Sequence, residues 1–222
     1  MLAEPQQQEL LNKHLKLVLK ANQQLNLTRI TNWDDAQIHH IEDSLAGLEE
    51  LKQAPDGDLV DLGSGGGFPG IPLAIMSGRN TTLCETVGKK ADCLKSFIIE
   101  LQLDSQISVS NCRSEELAVE KPNFYTVATA RALSSLPSLL EIAAPLLMTK
   151  GLLVCYKSLS IDNELEAASR LEEKLGFKHI SNRIYELADK ETKHQIVLYE
   201  KIGEPSVKLP RKLGLAQKRP LV

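Results

Sequence analysis

The stretch Asp61-Leu62-Gly63-Ser64-Gly65-Gly66-Gly67-Phe68-Pro69-Gly70 is the part of the chain best suited to chemistry. Glycines so spaced let a main chain turn sharply and bring a ligand against N–H groups with no Cβ in the way. A dinucleotide fingerprint needs glycine where Phe68 stands, and a Walker A loop needs lysine where Ile71 stands, so neither motif is present. The remaining D-x-G-x-G-x-G pattern, with Gly63, Gly65 and Gly67 as its glycines, suits the amino-acid end of S-adenosylmethionine. Asp61 is either a ligand group of that loop or a cap on the strand before it.

A nucleoside also needs an acceptor for its ribose hydroxyls, about 20 residues further on at the end of the next strand. Glu85 stands 24 residues after Asp61, as a ribose acceptor or as a solvated strand end. After a third strand comes Arg113-Ser114-Glu115-Glu116, where Ser114 and Glu115 would lie beside an adenine ring or merely open a helix. The fourth strand ends at Ala130-Arg131-Ala132, a position that faces cofactor and acceptor together when ligands sit beyond strand carboxyl ends. Arg131 is therefore the first candidate for an acceptor-positioning residue, with a surface ion pair as the alternative.

Missing motifs narrow the acceptor. Exocyclic amino-group methylation usually shows an (Asp/Asn)-Pro-Pro-aromatic run after the fourth strand, where this chain has Thr129-Ala130-Arg131. Pyrimidine C5 methylation needs a cysteine nucleophile, commonly after proline, and the chain has no Pro-Cys pair. A ring nitrogen with an in-plane lone pair, such as guanine N7, needs neither, and positioning then carries most of the catalysis. His39, His40 and Asp43 share a helix face, but most such trios bind no metal.

The elements that must position these residues follow from periodicity. Leu11, Leu15, Val18 and Leu25 mark one face of a helix from Gln6 to about Leu25. Thr31 or Asn32 caps a second helix with Asp34 and Asp35 in its first turn, and Ile38, Ile41, Leu45, Leu48 and Leu51 form its buried face. Ala54-Pro55-Asp56-Gly57 is a loop. Short β-rich runs at 59–62, 81–85, 107–110, 124–129 and 151–157 then alternate with helical stretches near 70–77, 88–102, 135–148 and 161–175, the grammar of a parallel sheet built from βαβ units. Runs 177–187 and 194–201 have no helix between them and predict an antiparallel edge hairpin. The expected fold is α/β: a Rossmann-like class I methyltransferase sheet of five parallel strands plus that hairpin. The expected divisions are a helical extension (1–56), a methyltransferase domain (57–202) and an extended basic tail (203–222).

At 222 residues, 42% hydrophobic and 25% charged, the chain has the composition of a soluble globular protein. It has no run of about 18 apolar residues and no basic segment leading into an apolar stretch, so no membrane span or secretory signal is expected, and a cytoplasmic location follows. Four widely separated cysteines read as buried free thiols. The net charge of −3 is uneven: Lys208, Arg211, Lys212, Lys218 and Arg219 face only Glu204 in the last 20 residues. Such a tail suits phosphate contact, whereas nine aromatics are too few for a base-stacking platform.

Taken in order, Asn26-Leu27-Thr28, His39-His40-Ile41-Glu42-Asp43-Ser44, VDLGSGGGFPGIPLAI, ETVGKKADCLKSF, TARALSSLPSLLEIAAPLL and LPRKLGLAQKRPL closely resemble the bacterial small-subunit ribosomal RNA guanine-N7 methyltransferases, also called glucose-inhibited division protein B. The resemblance implies a monomer that binds S-adenosylmethionine through Gly63, Phe68, Glu85, Ser114, Glu115 and Arg131, with Lys89 and Lys90 as further candidates for rRNA contact. It implies 16S rRNA or the small ribosomal subunit as partner. A non-catalytic RNA-binding protein and a small-molecule methyltransferase are the competing readings.

Overall fold

The computed structural model describes residues 3–221. Helix α1 (Pro5–Leu25) buries Leu11, Leu15 and Val18 completely, and His14 lies in the same stripe. The second helix forms as expected but in pieces. Asn32 caps α2 (Trp33–Ala36) by accepting the Asp35 N–H at 2.8 Å; a π-helical turn (Gln37–Glu42), α3 (Asp43–Leu45) and α4 (Leu48–Leu51) follow. Ile41, Leu48 and Leu51 are buried with the polar His40, Asp43, Ser44 and Glu50, while Ile38 and Leu45 are only half-buried.

The sheet comprises β1 (Leu59–Leu62), β2 (Thr81–Cys84), β3 (Ile107–Ser110), β4 (Tyr125–Arg131), β5 (Leu147–Lys157), β6 (Phe177–Glu186) and β7 (Lys193–Lys201), in the order β3-β2-β1-β4-β5-β7-β6. The first five are parallel, and β7 inserts antiparallel between β5 and β6. Burial follows position. Every residue of central β1 is buried, Asp61 included, whereas edge strand β6 alternates because one face meets solvent. Helices α5 (Gly70–Ser77) and α6 (Gly88–Glu100) pack with α1 on one face of the sheet. The other face carries α7 (Ser114–Glu120), α8 (Leu136–Ala143), α9 (Asp162–Ser169) and α10 (Glu172–Leu175). The stretch expected as one helix over 161–175 is thus two, and the helix expected over 135–148 stops at Ala143, before β5 begins at Leu147.

The helical extension shares its core with the sheet: Leu11, Leu15, Ile41 and Leu51 belong to one apolar cluster with Ile71, Leu73, Val127 and Ile196. It is also clamped to the hairpin, where the Arg183 guanidinium donates to both oxygens of buried Glu50 at 2.7 and 2.8 Å. Cys84 and Cys155 are buried and Cys93 and Cys112 half-buried, all as free thiols.

The C-terminal segment departs from the extended tail expected. It docks over α7 and α8 and forms a short helix, α11 (Leu215–Lys218). Arg211 donates to both carboxylate oxygens of Glu141 at 2.6 Å, and the Leu221 N–H adds a third bond at 3.1 Å. Glu141 is 2% exposed, and a buried carboxylate needs such a paired cation. Arg211 is thereby withdrawn from the predicted RNA-contact set, whereas Lys208, Lys212, Lys218 and Arg219 remain exposed.

Candidate active site

The glycine loop leaves the carboxyl end of β1 and enters α5. Gly63 has φ of +73°, and a Cβ there would stand 2.7 Å from Leu133 Cδ1, so only glycine fits. At Gly70 a Cβ would meet Leu83 and the Asp61 carboxylate within 2.7 Å, which explains the glycine opening α5. Asp61 is completely buried; it accepts the Thr129 hydroxyl at 2.9 Å and the Gly70 N–H at 3.2 Å. Of its two readings the structural one holds: the side chain fastens β1, β4 and α5 together and is not exposed to a pocket. Burial pushes its pKa up to about 6, against the lowering effect of its hydrogen bonds.

Glu85 reaches back to the loop. One carboxylate oxygen accepts the Gly65 N–H at 2.9 Å and the other accepts the Val87 N–H at 2.8 Å. A carboxylate has about four acceptor sites, so two remain for a ribose diol. Glu85, Gly63, Ser114, Glu115, Arg113, Leu133, Ile142 and Gln217 line a pocket of about 200 Å³. The structure thus brings together the predicted Gly63, Glu85, Ser114 and Glu115, with Gly65 beside them through its bond to Glu85. A glycine at position 63 with positive φ and no Cβ, an acidic group at the pocket edge and apolar faces from Leu133 and Ile142 fit an adenosyl group.

Phe68 plays another part. Its ring stacks on His40 at 4.6 Å between centroids, lies tilted against His14 at 4.6 Å and carries the Arg131 guanidinium at 5.5 Å. With the ring 6% exposed, what Phe68 offers a ligand is main chain. His14 Nε2 lies 2.9 Å from the Gly66 carbonyl, so α1 holds the loop directly. Burial lowers the pKa of both His14 and His40 to about 4, and the Arg131 charge adds to the effect at His40. Both rings are therefore neutral at pH 7, and His14 donates its Nε2 proton to Gly66.

Arg131 ends β4 and points into the helical extension, donating to Asp43 Oδ2 at 2.7 Å and to the His39 carbonyl at 3.0 Å. The other Asp43 oxygen is 2.6 Å from the Tyr185 hydroxyl and 2.8 Å from His194 Nδ1. Burial pushes Asp43 up, but the His194 hydrogen bond, the Arg131 charge and the Tyr185 hydroxyl outweigh it and bring the pKa to about 2. The His39–His40–Asp43 trio divides: His39 faces Asp189 at 3.6 Å, His40 bonds Thr28 Oγ1 at 2.8 Å and Asp43 takes Arg131. A second pocket, of about 490 Å³, is lined by His39, Asp43, Arg131, Lys157, Glu164 and His194. Residues 131–133 run between the two pockets, Arg131 and Ala132 facing the larger and Leu133 the smaller.

Lys89 is exposed and Lys90 half-buried at the start of α6, just after Glu85. Sequence reasoning missed Thr28, His14, Tyr185, His194 and Gln217 as parts of the site. Only His14 carried a signal, a histidine inside the apolar stripe of α1.

The strand order, the glycine loop after β1 and the acid after β2 define a Rossmann-like, class I methyltransferase fold. Two solved structures are similar in fold: an O-methyltransferase from Bacillus cereus in complex with SAH (TM-score 0.60, 16% identity, 85% of this chain and 90% of that one) and a putative sarcosine dimethylglycine methyltransferase from Galdieria sulphuraria (TM-score 0.57, 12% identity, 73% and 85%). A family model described as rRNA small subunit methyltransferase G matches residues 7–194. The chain is 33% identical over 216 residues to the ribosomal RNA small subunit methyltransferase G of Carboxydothermus hydrogenoformans, covering 96% of this chain and 91% of that one. It is 31% identical over 208 residues to the protein of the same name from Alkaliphilus metalliredigens, covering 92% and 87%. The chain belongs to the rRNA small subunit methyltransferase G family.

Proposed function

We propose that the protein transfers the methyl group of S-adenosylmethionine to N7 of a guanine in 16S rRNA of the small ribosomal subunit. The observation that carries this reading is the placement of two pockets on either side of residues 131–133, one suited to an adenosyl group and the other open and lined by both charge signs. The bound cofactor supplies an electrophilic methyl on a sulfonium. Gly63, Gly65 and the main chain of Phe68 hold its amino-acid end, Glu85 its ribose, and Ser114 and Glu115 its adenine.

In the larger pocket Arg131 and Lys157 suit guanine O6, while the partly exposed Glu164 carboxylate suits its N–H edge and the buried Asp43 charge helps offset the positive charge that the purine gains. A donor on N7 itself would occupy the lone pair that must attack, so positioning through the other edges is required. Attack is in line, with no covalent enzyme intermediate, and orientation supplies most of the acceleration. The exposed Lys208, Lys212, Lys218 and Arg219, with Lys89 and Lys90, hold the rRNA backbone. In this arrangement the extension 1–56 roofs the acceptor pocket, residues 57–202 carry the cofactor and 203–222 meet RNA.

The test is incubation of the purified protein with methyl-labelled cofactor and either free 16S rRNA or small subunits from cells lacking the modification. Label is expected in 7-methylguanosine after nucleoside digestion. Label in another nucleoside, or none, overturns the reading.

A further inference from the structure

We infer that the docked C-terminal segment is a working wall of the cofactor pocket, and that the Gln217 carboxamide binds the adenine edge of the nucleoside. This rests on the cofactor reading above and extends it to a part of the chain otherwise assigned to RNA. Gln217 is a pocket-lining residue from far outside the βαβ frame, facing a cavity formed by Gly63, Glu85, Ser114 and Glu115.

Its placement is built, not incidental. The Gly214 N–H donates to Glu115 Oε1 at 2.7 Å, so the segment is tied to the residue that marks the adenine end of the pocket. Arg211 anchors the segment upstream on buried Glu141 and bonds the Arg219 carbonyl at 2.7 Å, closing the turn that holds α11. Ala216, next to Gln217, is 3% exposed and buried in the apolar cluster that includes Leu117, Leu139 and Leu140. With its neighbour buried and Gly214 tied, Gln217 is held over the pocket mouth.

The chemistry fits a purine. Leu133 and Ile142 supply apolar surface, and Ser114, Glu115 and Gln217 supply polar groups. A carboxamide carries both a donor and an acceptor, and glutamine pairs with adenine through two hydrogen bonds. Glu115 already accepts from Gly214, so Gln217 adds the matched donor and acceptor that the strand ends lack.

The same segment places Lys212, Lys218 and Arg219 on the outer surface, around the residue that touches the cofactor.

The experiment is titration of S-adenosylhomocysteine by calorimetry against the unaltered full-length protein and Gln217→Ala, with circular dichroism to verify the fold. Gln217→Ala is expected to bind about threefold to tenfold more weakly, the range of one or two hydrogen bonds. Affinity equal to the unaltered protein in Gln217→Ala overturns the inference alone. No binding by the unaltered protein overturns the cofactor reading and the inference with it.

Discussion

Arg131 and Asp43 meet at 2.7 Å across 88 residues of chain, and the contact joins the carboxyl end of β4 to the helical extension. The carboxylate also receives Tyr185 and His194 from the edge hairpin. One side chain thus ties the helical extension, the central sheet and the hairpin around the larger pocket.

Asp43→Asn removes the charge that three donors share and leaves Arg131 without its ionised partner in a largely buried place. Breaking a buried pair from one side costs about 3–5 kcal/mol. The expected loss here is about 3 kcal/mol in urea unfolding, because Arg131 keeps its bond to the His39 carbonyl. A loss below about 1 kcal/mol, the range of an exposed pair, would contradict the hub role.

Stability should fall as the medium is acidified through the histidine range. His14 and His40 have folded-state pKa values of about 4 against an ordinary 6.5, so the unfolded chain takes up protons that the folded chain refuses. The loss begins below pH 6.5 and is complete near pH 4, at about 3 kcal/mol for each ring. His14→Gln keeps a donor for Gly66 but cannot titrate. It should lower the slope of unfolding free energy against pH between 6.5 and 4.5 by about 1.4 kcal/mol per pH unit, the contribution of one proton, and an unchanged slope would show that His14 is not the source.

Glu85→Gln replaces a carboxylate oxygen by an amide group that cannot accept both main-chain donors and a ribose diol. Hydrogen bonds to charged groups contribute roughly 1.5–3 kcal/mol, so S-adenosylhomocysteine should bind about tenfold to a hundredfold more weakly. Calorimetry on the variant checks this, and affinity unchanged from the parent would return Glu85 to a solvated strand end.

The basic residues of the C-terminal segment should separate into two kinds. Lys218→Gln with Arg219→Gln should lower the slope of log affinity for rRNA against log salt by about 2, with little change in folding stability. Arg211→Gln should instead cost about 3 kcal/mol by leaving Glu141 buried and unpaired. Filter binding over a salt series and urea unfolding distinguish them, and equal behaviour of the two variants would refute the division.

Local chemistry made much of this legible in the amino-acid sequence. The glycine loop after a buried run, Glu85 at the end of the next strand, a cap at Thr31 or Asn32, the alternation of strands and helices, and the hairpin were all legible there, because each depends on residues within one turn or one βα unit. What only the tertiary structure decided lies in contacts between distant segments. Asp61 is a fastener because Thr129 and Gly70 meet it, Asp43 is a hub because β6 and β7 fold beside α3, and Arg211 is an anchor because Glu141 is buried opposite it. Charge and spacing show that a side chain needs a partner; which partner it gets depends on sheet order, register and the face on which each helix lands, and no periodicity in the chain encodes those.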